Sequence, residues 1–225
     1  MNMYSDKTDS ELVVILQQES LLTFESQLKL RDELNTRAIA TDTTALENSI
    51  ARKLSEINNL DYLKDFGFTA ERNADELTIT RTNKALFTDI IGIVIGILVF
   101  LLGIYGCINL VMTFINGDEL DVFTLAYKFA MASLVFIGFT FFSGLKRLFD
   151  YTGFELTKQG ERITLKKRFD VKLEEINATA SDVYLDTEED TLYLKLGQHT
   201  IFTSNADNLI QSMTLKKLAN ELKGI

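Results

Sequence analysis

The sequence predicts a membrane α+β protein: a two-helix transmembrane hairpin, preceded by a helical region with a small β-hairpin and followed by an antiparallel β-sheet that a last helix closes. Three observations carry this. Two long apolar runs, residues 90–115 and 122–145, are separated only by a short acidic linker at 116–121. Ahead of them apolar residues recur at helical spacing, and after them they alternate with polar ones, the period of a half-buried strand. The expected parts are therefore a helical region with its hairpin (1–84), the membrane hairpin (85–149) and the sheet with its helix (150–225).

From the amino end, Thr8 and Glu11 have the T-x-x-E spacing of a capping box, in which a hydroxyl and a carboxylate satisfy backbone N–H groups that a first helical turn leaves open. Leu12, Ile15 and Leu16 follow at helical spacing. A second helix is expected from Thr23, carrying Phe24, Leu28, Leu30 and Leu34 and losing its pattern near Arg37, so that the two form a helical hairpin. A third starts at Thr44, where Thr44 and Glu47 repeat T-x-x-E, and places Leu46, Ile50, Leu54 and Ile57 on one face. Leu60, Leu63 and Phe66 read as one further turn stopped by Gly67. Strands at 68–72 and 76–82 then flank a turn of Asn73, Ala74 and Asp75, and Leu77 and Ile79 alternate with Thr78 and Thr80.

The first apolar run holds no formal charge, and as a helix its 26 residues would extend about 39 Å, more than a hydrocarbon core of about 30 Å. A buried helix of a soluble domain would stop sooner and show a polar stripe. The second run contains Lys128, whose long stem can carry its ammonium toward Asp118, Glu119 and Asp121. Arg81 and Lys84 precede the first helix, Lys146 and Arg147 follow the second, and the linker has no Lys or Arg. The positive-inside rule then puts both ends of the chain in the cytoplasm. Small residues would let the two helices approach closely: Gly92, Gly96, Gly103 and Gly106 on one, Ala126, Ala130, Ser133 and Gly138 on the other. Gly92 and Gly96 also form a GxxxG, the spacing of a homodimer seam.

After the hairpin, Phe154/Leu156, Ile163/Leu165, Val171/Leu173, Val183/Leu185 and Leu192/Leu194/Leu196 alternate with polar residues across turn-like breaks, which describes an antiparallel meander. A last strand is expected at 199–203. The chain becomes helical from Asn205, with Ser204 and Asp207 as the start signal and Leu209, Met213, Leu215, Leu218 and Leu222 able to cover one face of the sheet.

Two resemblances arise from these residues. Residues 5–37, with their D-S-E-L opening and E-L-x-x-R close, resemble a short helical module found at the amino end of Bacteroidota membrane proteins. The segment 154–163 (FELTKQGERI), the strand beginning Val171-Lys172-Leu173, the later strands and the closing helix together resemble the bacterial pleckstrin-homology-like (PH-like) domains appended to membrane helices. That likeness implies a PH-like carboxy-terminal sheet. The strands predicted after 150 are fewer than the family has, and the hairpin at 68–82 could supply more by pairing beside them.

Charge and motif content narrow the function. Of 225 residues 32 are acidic and 23 basic, for a net charge of −9, and acids outnumber bases both before and after the hairpin. Nucleic-acid binding, which needs a basic face, finds no support. Arg162, Lys166, Lys167, Arg168 and Lys172 form the only dense basic group and are candidates for contact with anionic headgroups. Asp186, Glu188, Glu189 and Asp190 crowd one turn but lack the glycine and terminal glutamate of a calcium loop. His199 is the single histidine and Cys107, inside the first apolar run, the single cysteine, so a zinc site would need carboxylates for all its other ligands, a His/Ser/Asp triad has no GxSxG-type anchor to support it, and no phosphate-binding or dinucleotide loop occurs. No cofactor or catalytic residue is implied. The expected function is a non-enzymatic scaffold or accessory protein of the bacterial inner membrane, partnered by the bilayer and by a protein complex or further copies of itself. A small channel or transport subunit is the alternative, for which Asn109, Lys128 and Thr140 are few polar groups, and a membrane-bound enzyme is a third.

Overall fold

The computed structural model describes residues 2–117, 121–141, 143–169 and 172–225. Three helices open the chain: α1 (Asp9–Leu16), α2 (Phe24–Thr36) and α3 (Thr44–Asn58). The Thr8–Glu11 capping box is fully formed, and Thr23 accepts from the Ser26 N–H to start α2. The start of α3 differs from the expected Thr44–Glu47 box. Asp42 accepts the Thr44 N–H at 2.9 Å instead, and hydrogen bonding from the Thr44 hydroxyl first and this N–H second holds the Asp42 carboxyl below the usual carboxylate range. A 3-10 turn (Asp61–Phe66) leads to Gly67, whose backbone is left-handed at φ +83°.

The strands form two antiparallel sheets. One has five strands in the order β1 (Phe68–Asn73), β2 (Glu76–Arg81), β3 (Glu155–Gln159), β4 (Arg162–Phe169), β5 (Lys172–Thr179); the other is β6 (Val183–Glu188), β7 (Thr191–Leu196), β8 (His199–Asn205). The hairpin at 68–82 thus joins the carboxy-terminal sheet, with Thr78 opposite Thr157 and Ile79 opposite Leu156. Between β2 and β3 the chain leaves the sheet as α4 (Asn83–Asn116), turns, and returns through α5 (Val122–Phe141) and α6 (Ser143–Tyr151). The long helical hairpin is therefore an insertion between two neighbouring strands. Both of its legs are long and apolar enough to cross a bilayer, and most of their apolar side chains, Leu98, Leu102, Val111, Phe123 and Phe136 among them, are exposed.

Helix α7 (Leu209–Lys223) ties the molecule together. Its Leu215, Leu218 and Leu222 are buried with Ile79, Leu156, Ile163, Leu165, Leu194 and Phe202 in the core between the sheets, while Leu209, Ile210 and Met213 pack on a second core made by Leu12, Phe24, Leu30, Leu34, Leu46 and Ile50 of the amino-terminal helices. Arg72 adds a polar staple, bonding the Asn58 and Asn59 carbonyls of the α3 end and Glu221 of α7 at 2.8 Å.

Three further sequence expectations shift. Ser204 lies within β8 and α7 starts later, because Asn205 turns the chain by accepting from the Asp207 N–H and Asn208 is the residue that caps the helix. Leu173 does not face the core: Leu165 pairs with Ile176 and Ile163 with Ala178, so the inward side of β5 is the other parity, and Leu173 is 50% exposed beside Gly153. Helix α4 begins at Asn83, capped by the Thr82 hydroxyl, well before the apolar run that marked it. The linker acids Asp118 and Glu119, and Val171, lie outside the described residues.

Candidate functional site at the root of the helical hairpin

The polar chemistry of this chain converges where α4 and α6 meet the five-stranded sheet. Gly67 makes the junction possible: its carbonyl accepts from the Thr82 N–H and hydroxyl, and a β-carbon there would stand 2.8 Å from the Ala85 side chain and 2.9 Å from the Arg81 guanidinium. Arg81, at the end of β2, is thereby held over the rings of Phe68 and Tyr151, its central carbon 5.0 and 5.1 Å from their centroids, and it donates to the Phe66 carbonyl at 3.3 Å. Tyr151, Phe154 and Phe202 in turn each meet the Phe68 ring edge to face.

The acceptor at the centre is Asp89, two turns into α4 and only 2% exposed. One carboxylate oxygen receives Arg81 at 2.6 Å; the other receives Arg147 of α6, through Nε at 2.8 Å and also through Nη2. A single buried carboxylate thus binds the last residue of a strand and a helix that lies 58 positions later. Because an unpaired charge in such a place is costly, the buried Asp89 and Arg81 depend on each other, and Arg147 joins them from a more exposed position. Lys167 of β4 lies close by with its ammonium 5.2 Å from the Tyr151 ring centre and bonded to the Thr200 carbonyl, and burial pushes its pKa down. Beside the clamp an open cleft of about 490 Å³ is lined by Lys64, Asp65, Phe66, Gly67, Arg81, Thr82, Lys84, Ala85, Thr88, Asp89 and Arg147.

Of the basic residues expected to act as one lipid-contact group, Arg162, Lys166 and Arg168 share one face of β4 and Lys167 lies on the other. Lys167 points inward, as above. Arg162 binds Asn177, Lys166 the Glu155 carboxylate at 3.1 Å, Arg168 the Thr152 carbonyl, and Lys172 is exposed at the start of the edge strand β5. Among the helix-packing candidates, Gly103 and Gly138 lie directly against the opposing backbone, where added β-carbons would meet Leu134 at 2.7 Å and Phe100 at 2.6 Å, and Gly106 likewise faces Met131. Gly96 is buried, but Gly92 faces open space and Ala126, Ala130 and Ser133 are exposed. Lys128 donates to the Thr113 hydroxyl of α4, while Asp121 caps α5 through the Phe123 and Thr124 N–H groups. In the acidic turn, Asp186 is paired with Lys195 at 2.5 Å, which holds its carboxyl below the ordinary range.

Sequence reasoning passed over Asp89. Arg81 and Arg147 entered only as members of the basic flanks, although a lone carboxylate immediately before an apolar run, inside a basic flank, is itself a signal that a partner is needed. Comparison with known proteins gives no matching family model, no similar curated protein and no similar solved structure, so a functional reading rests on this geometry.

Proposed function

We propose that the chain is a non-enzymatic scaffold of the bacterial inner membrane. Its helical hairpin crosses the bilayer twice with both termini cytoplasmic, and a PH-like body carrying the amino-terminal helices is held at the membrane face, where it binds a protein partner in a larger complex or a second copy of itself. The observation that carries this reading is the Arg81–Asp89–Arg147 clamp, which fastens both legs of an apolar hairpin to the sheet from which they emerge. A hairpin free to swivel would anchor the body; one fixed at both roots also orients it. The PH-like assignment is supported by two antiparallel sheets closed by a carboxy-terminal helix, with β1 and β2 contributed from ahead of the hairpin. Asn116 and Asp121 end the legs at the far side from the basic residues Lys84 and Lys146, in keeping with the positive-inside rule.

Tags at each terminus, probed by protease in right-side-out and inverted vesicles, test the topology, and a detergent pull-down of the tagged chain with mass spectrometry tests the scaffold role. Both tags should be cut only in inverted vesicles, and a stoichiometric protein or a homo-oligomer should co-purify. Tags on opposite sides, or recovery of the intact chain from the aqueous fraction without detergent, would sink the membrane reading; a monomer that captures nothing would sink the scaffold.

A further inference from the structure

The cleft beside the clamp holds more positive than negative charge, and one of its two acids is already paired. Four bases line it, Lys64, Arg81, Lys84 and Arg147, against Asp65 and Asp89, and Asp89 is occupied by the two arginines. Arg147 uses Nε and Nη2 on Asp89, which leaves Nη1 for another acceptor. Lys84 has no side-chain partner among the described residues, and Lys64, 66% exposed, has only Asp61 at 3.5 Å. An open site with this excess calls for an anion, and guanidinium and ammonium groups converging from three segments suit the several oxygens of a phosphate.

The helix below the cleft says which kind of phosphate. Lys84 and Thr88 of α4 lie on one stripe of the helix, and the same stripe continues through Ile91, Ile95, Leu98 and Leu102, all exposed. A polar pocket thus opens at the head of an uninterrupted apolar track. We propose that the cleft binds the phosphate of an anionic phospholipid, with Lys84, Lys64 and the free Nη1 of Arg147 on the headgroup and the acyl chains along that track of α4. This inference rests on the membrane reading of the hairpin and adds a specific ligand to it. It adds a lipid contact at the root of the hairpin to the one expected at the β4 basic residues. A soluble anion would need the same cations but would have no use for the track.

The test is native mass spectrometry of the full chain, stripped of lipid in mild detergent and titrated with phosphatidylglycerol or phosphatidylcholine. Wild type should prefer the anionic lipid, and the preference should fall about fivefold for Lys84→Gln and further for Lys84→Gln with Lys64→Gln. Lys216→Gln, an equal charge change on α7, should keep it. None of these three lysines belongs to the clamp, and unchanged circular dichroism identifies variants that remain folded. Equal binding of the two lipids, or an equal loss in Lys216→Gln, would overturn the proposal. Displacement of the lipid preference by excess inorganic phosphate would reassign the cleft to a soluble anion. A chain that stays in the membrane fraction yet shows no preference refutes the lipid site alone, whereas a chain soluble without detergent refutes the membrane reading first.

Discussion

Asp89 has two arginine partners that differ in how far they are removed from water, and this sets the order of effects expected from mutation. Arg81 is 10% exposed and enclosed by aromatic rings, whereas the Arg147 side chain is 57% exposed. Replacing Asp89 with Asn leaves the buried Arg81 without a counter-ion and should cost about 3 kcal/mol or more. Arg147→Ala removes a partner that water can largely replace, and should cost about 1 kcal/mol or less. Denaturant unfolding of the two variants in the same micelles checks this, and equal losses would refute the assigned hierarchy. A second residue couples stability to pH. Tyr62 is pushed up to about 12, first by burial and then by donating to the Glu56 carboxylate at 2.7 Å. Its proton is held more tightly in the folded chain than in the unfolded one, where it leaves near 10. Its contribution is therefore complete below pH 10 and is lost as pH rises toward 12. Tyr62→Phe should cost about 1 kcal/mol at neutral pH, and the gap from wild type should close by pH 12; a constant gap from pH 8 to 12 would show that the hydroxyl plays no such part.

The contact between α4 and α5 depends on three glycines whose hydrogens alone separate backbones, so its sensitivity should be local. Gly103→Ala and Gly138→Ala force a methyl group into the facing chain at Leu134 and Phe100 and should each lower stability by about 1–3 kcal/mol. Gly92→Ala adds a methyl in open space and should be neutral or slightly stabilising through helix propensity. Thermal unfolding in detergent separates these cases, and a loss at Gly92 as large as at Gly103 would place the seam elsewhere. The sequence made the existence of both helices legible through length and charge, but not their contact face, because a helix apolar all round carries no stripe to point with. A similar limit applied to β5. Its apolar residues, Leu173 on one parity and Ile176 with Ala178 on the other, offer two answers, and only the register against Ile163 and Leu165 chooses between them. Capping residues were legible where a single candidate stood at a boundary, as at Thr8 and Thr23, and misread where several competed, as with Ser204, Asn205 and Asn208. The pairing within the clamp was illegible for a different reason: Asp89 signals that a partner is needed, but no local period reports an ion pair between groups as distant in sequence as Asp89 and Arg147.

At the scale of the whole molecule, the telling relation is that β2 and β3 are hydrogen-bonded neighbours although the entire helical hairpin lies between them. Thr80 pairs with Glu155, so the strand ends on either side of the insertion stand where the ends of an ordinary β-hairpin would stand. The core between the sheets draws on Leu60, Leu63, Phe68, Leu77 and Ile79 from before the insertion and on β3 to α7 from after it. Neither part can complete that core without the other. The hairpin itself contributes little to it, chiefly Tyr151 packed on Phe68 and Phe154. Replacing residues 82–153 with Asn-Gly, which favours the tight turn of a two-residue β-hairpin, should therefore give a chain that needs no detergent, retains both sheets, and keeps α7 seated between them and the amino-terminal helices. Loss of Tyr151 and of the Asp89 partner of Arg81 should lower its stability without abolishing the cooperative transition, since the remaining apolar core is continuous. Circular dichroism and amide-resolved NMR of the shortened chain read both points: dispersed strand resonances, with Thr78 and Thr157 still across from each other, are expected. A collapsed or aggregating product under the same conditions would mean that the helical hairpin is needed to bring β2 to β3, and that the body cannot be regarded as a fold into which the hairpin has been inserted.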